Sequence, residues 1–434
     1  MDLFGFGNKP HVVAAIGLGD SRFRYGYVYL TTIADLATSF RGIHVQEDRG
    51  PSIVLLTSNR KFHSLGRDAE TFYRSLADEV KKHYFFIKDI NEITEHHEHT
   101  FIVKDTEGRQ HDLEKIFRDV FVNFRELIDD CVRIKYKSHV GRWVVNTPGN
   151  WSASLRMIVT SAAENAGMIL MRLRVVTDTE AAFAICRYGD YKPIVLGSKV
   201  LLVQLYELKT NISILEYEEE TLIAELNTET VSSLGEATVS ETLTAFMKSL
   251  IGAEIWEKFE CDFPSEHRSF IESFIEKSRT FSRVISKDTT IYMPLDKTLQ
   301  SYITDQTGHS IKTLIHEKYK ADESPVEYSY QTESEGIVFN LHIMDILFMF
   351  VPVIKELIYE TLRKAEAEAI SKLWLVGDFA QSRYVREALE VEFSSRIYIF
   401  YPLDCENAKL KGSLIMGKED AICRVVNRNE LNAA

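Results

Sequence analysis

The chain has 434 residues, of which 45% are hydrophobic and 26% charged, and a formal net charge of −13. That length exceeds one simple core and suits two or more domains. The acidic balance excludes a basic nucleic-acid surface, because phosphate binding needs clustered Lys and Arg. The five cysteines, Cys131, Cys186, Cys261, Cys405 and Cys423, show no ligand or C-x-x-C spacing. They read as reduced thiols of a cytoplasmic protein. The N-terminus has no basic segment followed by an apolar one, so no signal peptide is expected. The most apolar window, Ile343–Ile358, contains Asp345, Pro352, Lys355 and Glu356. It reads as a buried helix, and no membrane insertion is expected.

In chain order, Val12–Ile16 and Tyr25–Leu30 predict a hairpin bent at Gly17 and Gly19. Pro51–Leu56 with Lys61–Leu65 predicts a second hairpin, Asp68–Lys82 a polar helix, and Phe101–Asp105 with Gln110–Leu113 a third hairpin. Leu113–Asp130 reads as a helix and Trp143–Asn146 as a strand. Ser152 is placed to cap a helix whose inner face is Leu155, Ile158, Val159, Ala162 and Ala166, with Gly167 ending it. Leu173–Thr177 is a strand and Thr179–Arg187 a short helix.

The pattern then restarts. Val200–Leu205 and Asn211–Tyr217 are strands around a Tyr-Glu-Leu-Lys-Thr turn, and helices are expected near Val239–Ile251, Ser265–Ser282 and Asp345–Ala369. Leu373–Val376 is a short apolar run suited to a strand buried on both faces. Gly377 breaks it, and a helix follows with Val385, Ala388, Leu389 and Phe393 on one face. A strand passing through a Gly turn into a helix is where an open α/β sheet offers backbone N–H groups to a ligand. Each half of the chain therefore holds an early hairpin and a late strand–turn–helix, which predicts two related α/β lobes facing a central cleft.

LVGDFAQSRYVREAL resembles the adenosine motif of the 70-kDa heat-shock protein family, in the form used by its divergent branch, heat shock 70 kDa protein 12. The resemblance extends to VVNTPGNWSASLRMIVTSAAENAGM, TDTEAAFAIC, SSLGEATV, EKSRTFS and NAKLKGSLIMG, and so covers nearly the whole chain. It implies the two-lobed actin-like ATPase fold, with two ribonuclease-H-like lobes. Lobe I is expected over 1–195 with an insertion near 46–119, and lobe II over 196–434 with an insertion near 236–344. Because the chain stops just past NAKLKGSLIMG, the family's peptide-binding domain is expected to be absent.

The resemblance also implies where ATP chemistry would sit, and there the sequence departs from the pattern. The first phosphate-gripping bend of the family reads D-x-G-T-T; here it is Gly17-Leu18-Gly19-Asp20-Ser21, with no leading carboxylate. The second reads D-x-G-G-G-T; here it is Gln204-Leu205-Tyr206-Glu207-Leu208-Lys209, with an amide for the carboxylate and three large side chains for the glycines. Unit charges about 4 Å apart interact by roughly 4 kcal/mol at an effective dielectric near 20, so Asp20 or Glu207 would repel a triphosphate. Lys209 would offset one of them if it faces the phosphates; otherwise it is a solvated charge at a hairpin tip. The adenosine side is better kept. Arg279 and Ser282 match the adenine-contacting Arg and Ser, while Ser278 replaces a Lys; Gly377 and Gly235 hold, and Asp378 replaces a Gly near the ribose. Asp178 keeps a carboxylate where the family has Glu, or is simply a helix N-cap. Lys88 is a candidate for the γ-phosphate Lys. His96, His97 and His99 are imidazoles close in sequence, but their context reads as an exposed polar loop rather than a metal site.

These departures predict a degenerate, catalytically dead pseudo-ATPase with no bound cofactor, ATP or ADP binding being weak or lost. Its role would be to bind a protein partner, with no nucleic acid. The alternative is a weak or active ATP-binding ATPase of the chaperone type.

Overall fold

The computed structural model describes residues 11–18, 22–30, 43–46, 50–88, 90, 101–219, 222–232, 234–282, 290–319, 326–331, 334–364, 370–403, 405–418 and 424–427. The chain forms two compact units. Unit 1 comprises 1–198, 216–225 and 402–434, and unit 2 comprises 199–215 and 226–401. Both are α/β.

Unit 1 is built on a five-stranded sheet. Its strands are His11–Leu18 (β1), Phe23–Leu30 (β2), Ile43–Gln46 (β3), Val140–Thr147 (β4) and Leu173–Thr177 (β5), in the order β5-β4-β1-β2-β3. β1, β2 and β3 pair antiparallel, whereas β4 and β5 run parallel to β1. Side chains alternate along β1, so Val12, Ala14, Ile16 and Leu18 share one face and enter a core with Phe23, Tyr25, Trp143 and Val145. Leu113–Tyr136 (α1) supplies Phe117, Phe121, Phe124 and Ile128 to the same core at helical spacing. Each buried Phe contributes about 2–3 kcal/mol by removing apolar area from water. Asp112 starts α1 by accepting from the N–H groups of Glu114 and Lys115. Ser152 caps Ala153–Asn165 (α2), its Oγ accepting from Leu155 N, as its position in the sequence suggests.

The other face of this sheet carries Asp178–Gly189 (α3) and the late helix Ala408–Lys418 (α8). α8 lies very close: a Cβ on Gly417 would stand 2.4 Å from Val13 and 2.7 Å from Val144, and one on Gly412 would overlap the carbonyl of Ala181. Arg142 and Arg174, on neighbouring parallel strands, donate to the last carbonyls of α8 at Met416, Gly417 and Lys418.

Unit 2 repeats the strand plan. Lys199–Leu205 (β6), Lys209–Glu219 (β7), Leu222–Ser232 (β8), Ile370–Val376 (β9) and Tyr398–Phe400 (β10) stand in the order β10-β9-β6-β7-β8. β6, β9 and β10 are parallel. Leu373–Val376 is fully buried, as a strand covered on both faces requires. Within unit 1, the start of β8 pairs in parallel with the last described strand, Arg424–Asn427 (β11). The helices used below are Glu236–Ile251 (α4), Pro264–Thr280 (α5), Val351–Lys364 (α6) and Arg383–Phe393 (α7).

Several elements differ from expectation. The helix expected over Asp68–Lys82 is two, Gly66–Ser75 and Asp78–Lys81, because Leu76 and Ala77 are extended. The one expected over Asp345–Ala369 divides into Leu341–Leu347 and α6; the break falls just before Pro352, whose ring is tolerated only in a helix's first turn. Residues 365–369, its expected end, lie outside the described residues. The eleven-residue strand β8 was not expected at all.

Candidate functional site

The residues expected to hold adenosine gather at one place in unit 2, where Arg279 and Ser282 are engaged by carboxylates of the chain itself. β6 ends at Gln204, fully buried and beside Val376 of β9. The chain turns at 206–208, where Tyr206 N donates to Lys209 O at 2.9 Å. The Tyr206 hydroxyl folds back and donates to the Gln204 side-chain oxygen. Tyr206 is thus buried beneath its own bend, and Lys209 is buried as well, not a solvated charge at the tip.

Gly235 is needed against this bend. A Cβ there would lie 2.3 Å from the Tyr206 carbonyl oxygen and 2.5 Å from that of Glu207. The first N–H groups of α4 point at those same carbonyls: Glu236 N donates to Tyr206 O at 3.3 Å, and Ala237 N to Glu207 O at 2.9 Å. A helix N-terminus is a ready anion site only while its N–H groups are free. Here two of them are satisfied by the bend.

Glu236, the first residue of α4, reaches Arg279 on α5 through two bonds, Nε to Oε1 at 2.8 Å and Nη2 to Oε2 at 3.0 Å. Burial pushes the Glu236 carboxyl up, Arg279 opposes that shift, and the nearby Asp378 and Glu207 carboxylates add to it. Arg279 is therefore held in a fork geometry by one carboxylate with two more close by. Ser282 is also engaged, its Oγ donating to Glu387 of α7 at 2.7 Å, while Arg383 holds the same carboxylate at 2.9 Å. Ser278 is buried and donates to Ile275 O within its own helix.

Gly377 has φ +112°, and a Cβ would fall 2.1 Å from the carbonyl oxygen of Leu205. It is glycine because β9 ends against the end of β6. Asp378 then opens a short 3₁₀ turn, Asp378–Gln381.

In unit 1, Gly17, Asn146 and Val176 lie abreast at the carboxyl ends of β1, β4 and β5. Asp178 is fully buried and forms an ion pair with Lys409 of α8 at 2.8 Å. It is not the cap of α3: Thr177 is, in a capping box with Glu180, and Asp178 is the first helical residue. Asn146 is fully buried, and among the described residues neither of its side-chain amide atoms has a hydrogen-bond partner. Gly17 beside it has room, since a Cβ would meet only Arg24 atoms at 3.7 and 3.8 Å. Lys88 is exposed and sits over the Phe86 ring at 5.5 Å. Gly19, Asp20, Ser21, His96, His97 and His99 lie outside the described residues. Among the described residues, no group of three or more His, Cys, Asp or Glu is arranged to hold a metal ion. No described helix is long and apolar enough to cross a membrane.

Sequence reasoning missed the partners. Glu236, Glu387 and Lys409 carry no motif signal of their own, and each lies between 43 and 231 residues from the group it binds.

No protein-family model matches the chain. Among curated proteins it is similar to heat shock 70 kDa protein 12A of Homo sapiens, 22% identical over 88% of this chain and 65% of that protein. The same protein of Mus musculus is 24% identical over 95% of this chain and 70% of the relative. Heat shock 70 kDa protein 12B of Homo sapiens is 22% identical over 88% and 64% respectively. The chain thus spans about two thirds of the length of the curated relatives it matches. The repeated strand plan and these matches together define a chain of the actin-like ATPase superfamily, of the nucleotide-binding-domain type. Within it, the chain is similar to the divergent heat shock 70 kDa protein 12 branch of the 70-kDa heat-shock family.

Proposed function

We propose that this protein is a pseudo-ATPase, a nucleotide-binding-domain fold that has lost ATP chemistry and acts in the cytoplasm by binding a protein partner. The observation that carries this reading is the closed state of the unit 2 site. The α4 N–H groups bind the carbonyls of Tyr206 and Glu207, and Arg279 binds Glu236. A triphosphate would have to displace both sets of bonds while approaching Glu207, Glu236 and Asp378, and each lost charge-assisted bond costs about 1.5–3 kcal/mol. In unit 1, the carboxylate best placed to meet a Mg²⁺ ion already faces the Lys409 ammonium. The donor set therefore fits Mg-ATP poorly in either unit.

Retained, weak ATP binding is the second reading. Asn146 favours it, because an orphaned buried amide beside the side-chain-free Gly17 is a polar space that protein atoms do not satisfy. Single-turnover hydrolysis of radiolabelled ATP with Mg²⁺ separates the two. The pseudo-ATPase reading expects no phosphate release above buffer. Release that Asp178→Asn abolishes would establish the second reading instead.

A further inference from the structure

On the surface of unit 1, a groove of about 570 Å³ runs along one face of α2, past Ala153, Arg156, Met157, Thr160 and Glu164, with Leu170, Leu173, Val175 and Arg424 as its opposite wall. Two of its lining residues are exposed apolar side chains, Met157 at 72% and Leu170 at 54%, and the chain neighbours of Leu170 are exposed as well, Ile169 at 59% and Met171 at 91%. Single exposed apolar residues are ordinary, but two in one groove, with an exposed Ile-Leu-Met run passing through its wall, are not. Met157 and Met171 are unbranched and polarizable, and such side chains adapt to a partner's apolar face.

Charge narrows the partner. The chain carries a net −13, yet among the described residues that line the groove Arg156 and Arg424 are basic and Glu164 alone is acidic, and the exposed Arg172 precedes the lining Leu173 in the chain. The spacing 153, 156/157, 160/161, 164 is one face of three helical turns, a wall about 17 Å long at 1.5 Å per residue. We propose that this groove docks an acidic amphipathic helix of a partner protein, its apolar stripe on the methionines and Leu170 and its carboxylates on Arg156, Arg172 and Arg424. This is the helix-in-groove mode of recognition. The inference rests on the partner-binding role proposed above but not on the loss of ATP chemistry, so either can fail without the other.

Three labelled peptides of about four helical turns test it by fluorescence anisotropy on the full chain. The first has Leu at i, i+3, i+4 and i+7 with Glu elsewhere; the second replaces Glu by Lys; the third keeps the first composition with the Leu positions scrambled. The acidic amphipathic peptide should bind at least about tenfold more tightly than either control, and more weakly as salt is raised. Arg172→Glu with Arg424→Glu, and separately Met157→Ser with Met171→Ser, should each weaken it by about tenfold or more while leaving the melting temperature unchanged, since these side chains are largely exposed. Equal binding of the acidic and basic peptides, wild-type affinity in both double variants, or no saturable binding below about 1 mM would overturn the proposal.

Discussion

Gly17, Gly235 and Gly377 look alike in the sequence, each a glycine at a bend, yet their surroundings assign them different jobs. A Cβ on Gly377 would meet Leu205 backbone at 2.1 Å with φ already positive, whereas one on Gly17 would make only ordinary contacts. Gly377→Ala should therefore destabilise unit 2 by about 2–4 kcal/mol, overpacking and the left-handed backbone adding together. Gly17→Ala should stay within about 0.5 kcal/mol of wild type. Urea denaturation of both variants checks this, and equal losses would contradict the packing described here. Glu236 offers a pH test. Burial holds its folded carboxyl above the ordinary glutamate range, so its unfavourable contribution is absent below that range and grows as pH rises through the folded value. Relative to Glu236→Gln, the wild type should lose stability as pH climbs from about 4.5 upward. A difference that stays flat across that window would mean the carboxyl is not held by burial as the structure places it.

Among the elements, α3 and α8 are joined by contacts of two kinds, the glycine-tight crossing at Gly412 and Ala181 and the buried pair of Asp178 with Lys409. Removing only the ammonium takes the Lys409 counter-charge from a buried carboxylate. Lys409→Met should cost about 3 kcal/mol, and adding Asp178→Asn should recover much of it, giving a coupling above roughly 1 kcal/mol in a double-mutant cycle. Additive losses would show that the pair does not stabilise this crossing. The elements also show what the sequence could and could not reveal. β1, β4 and β9 were legible because their apolar runs are short and bounded by glycine or Pro148. β8 was not, since only Ile223 and Ala224 of its eleven residues are buried and its polar Thr and Glu positions carry no alternating signal. The break before Pro352 was visible in principle, but the strong apolar pattern on both sides of it masked the stop. Of the candidate site, the positions were legible from the motifs and the occupancy was not. Nothing near Arg279 in the chain announces that Glu236 will fill its guanidinium fork.

For the whole molecule, the two units share a strand plan, and the segments 17–21 and 204–209 carry few of the glycines that close phosphate contact needs. The apolar strands and helix faces that hold each unit together do not depend on those segments. The protein should therefore unfold cooperatively without ligand, with one transition or two according to how the units couple. Differential scanning calorimetry checks it, and a featureless apo trace with no heat-absorption peak would contradict it. The most direct measurement of the central claim is the melting temperature with Mg-ATP, ADP or adenosine at about 1 mM. A ligand that binds only the folded state stabilises it by RT ln(1 + [L]/Kd), about 4.1 kcal/mol at a thousand times Kd, so a micromolar site would raise the melting point by several degrees. With the α4 N–H groups and Arg279 already bound within the chain, Mg-ATP and ADP should give no shift, and adenosine at most a slight one that Arg279→Ala removes. A clear rise with Mg-ATP that exceeds the adenosine shift would contradict the pseudo-ATPase account.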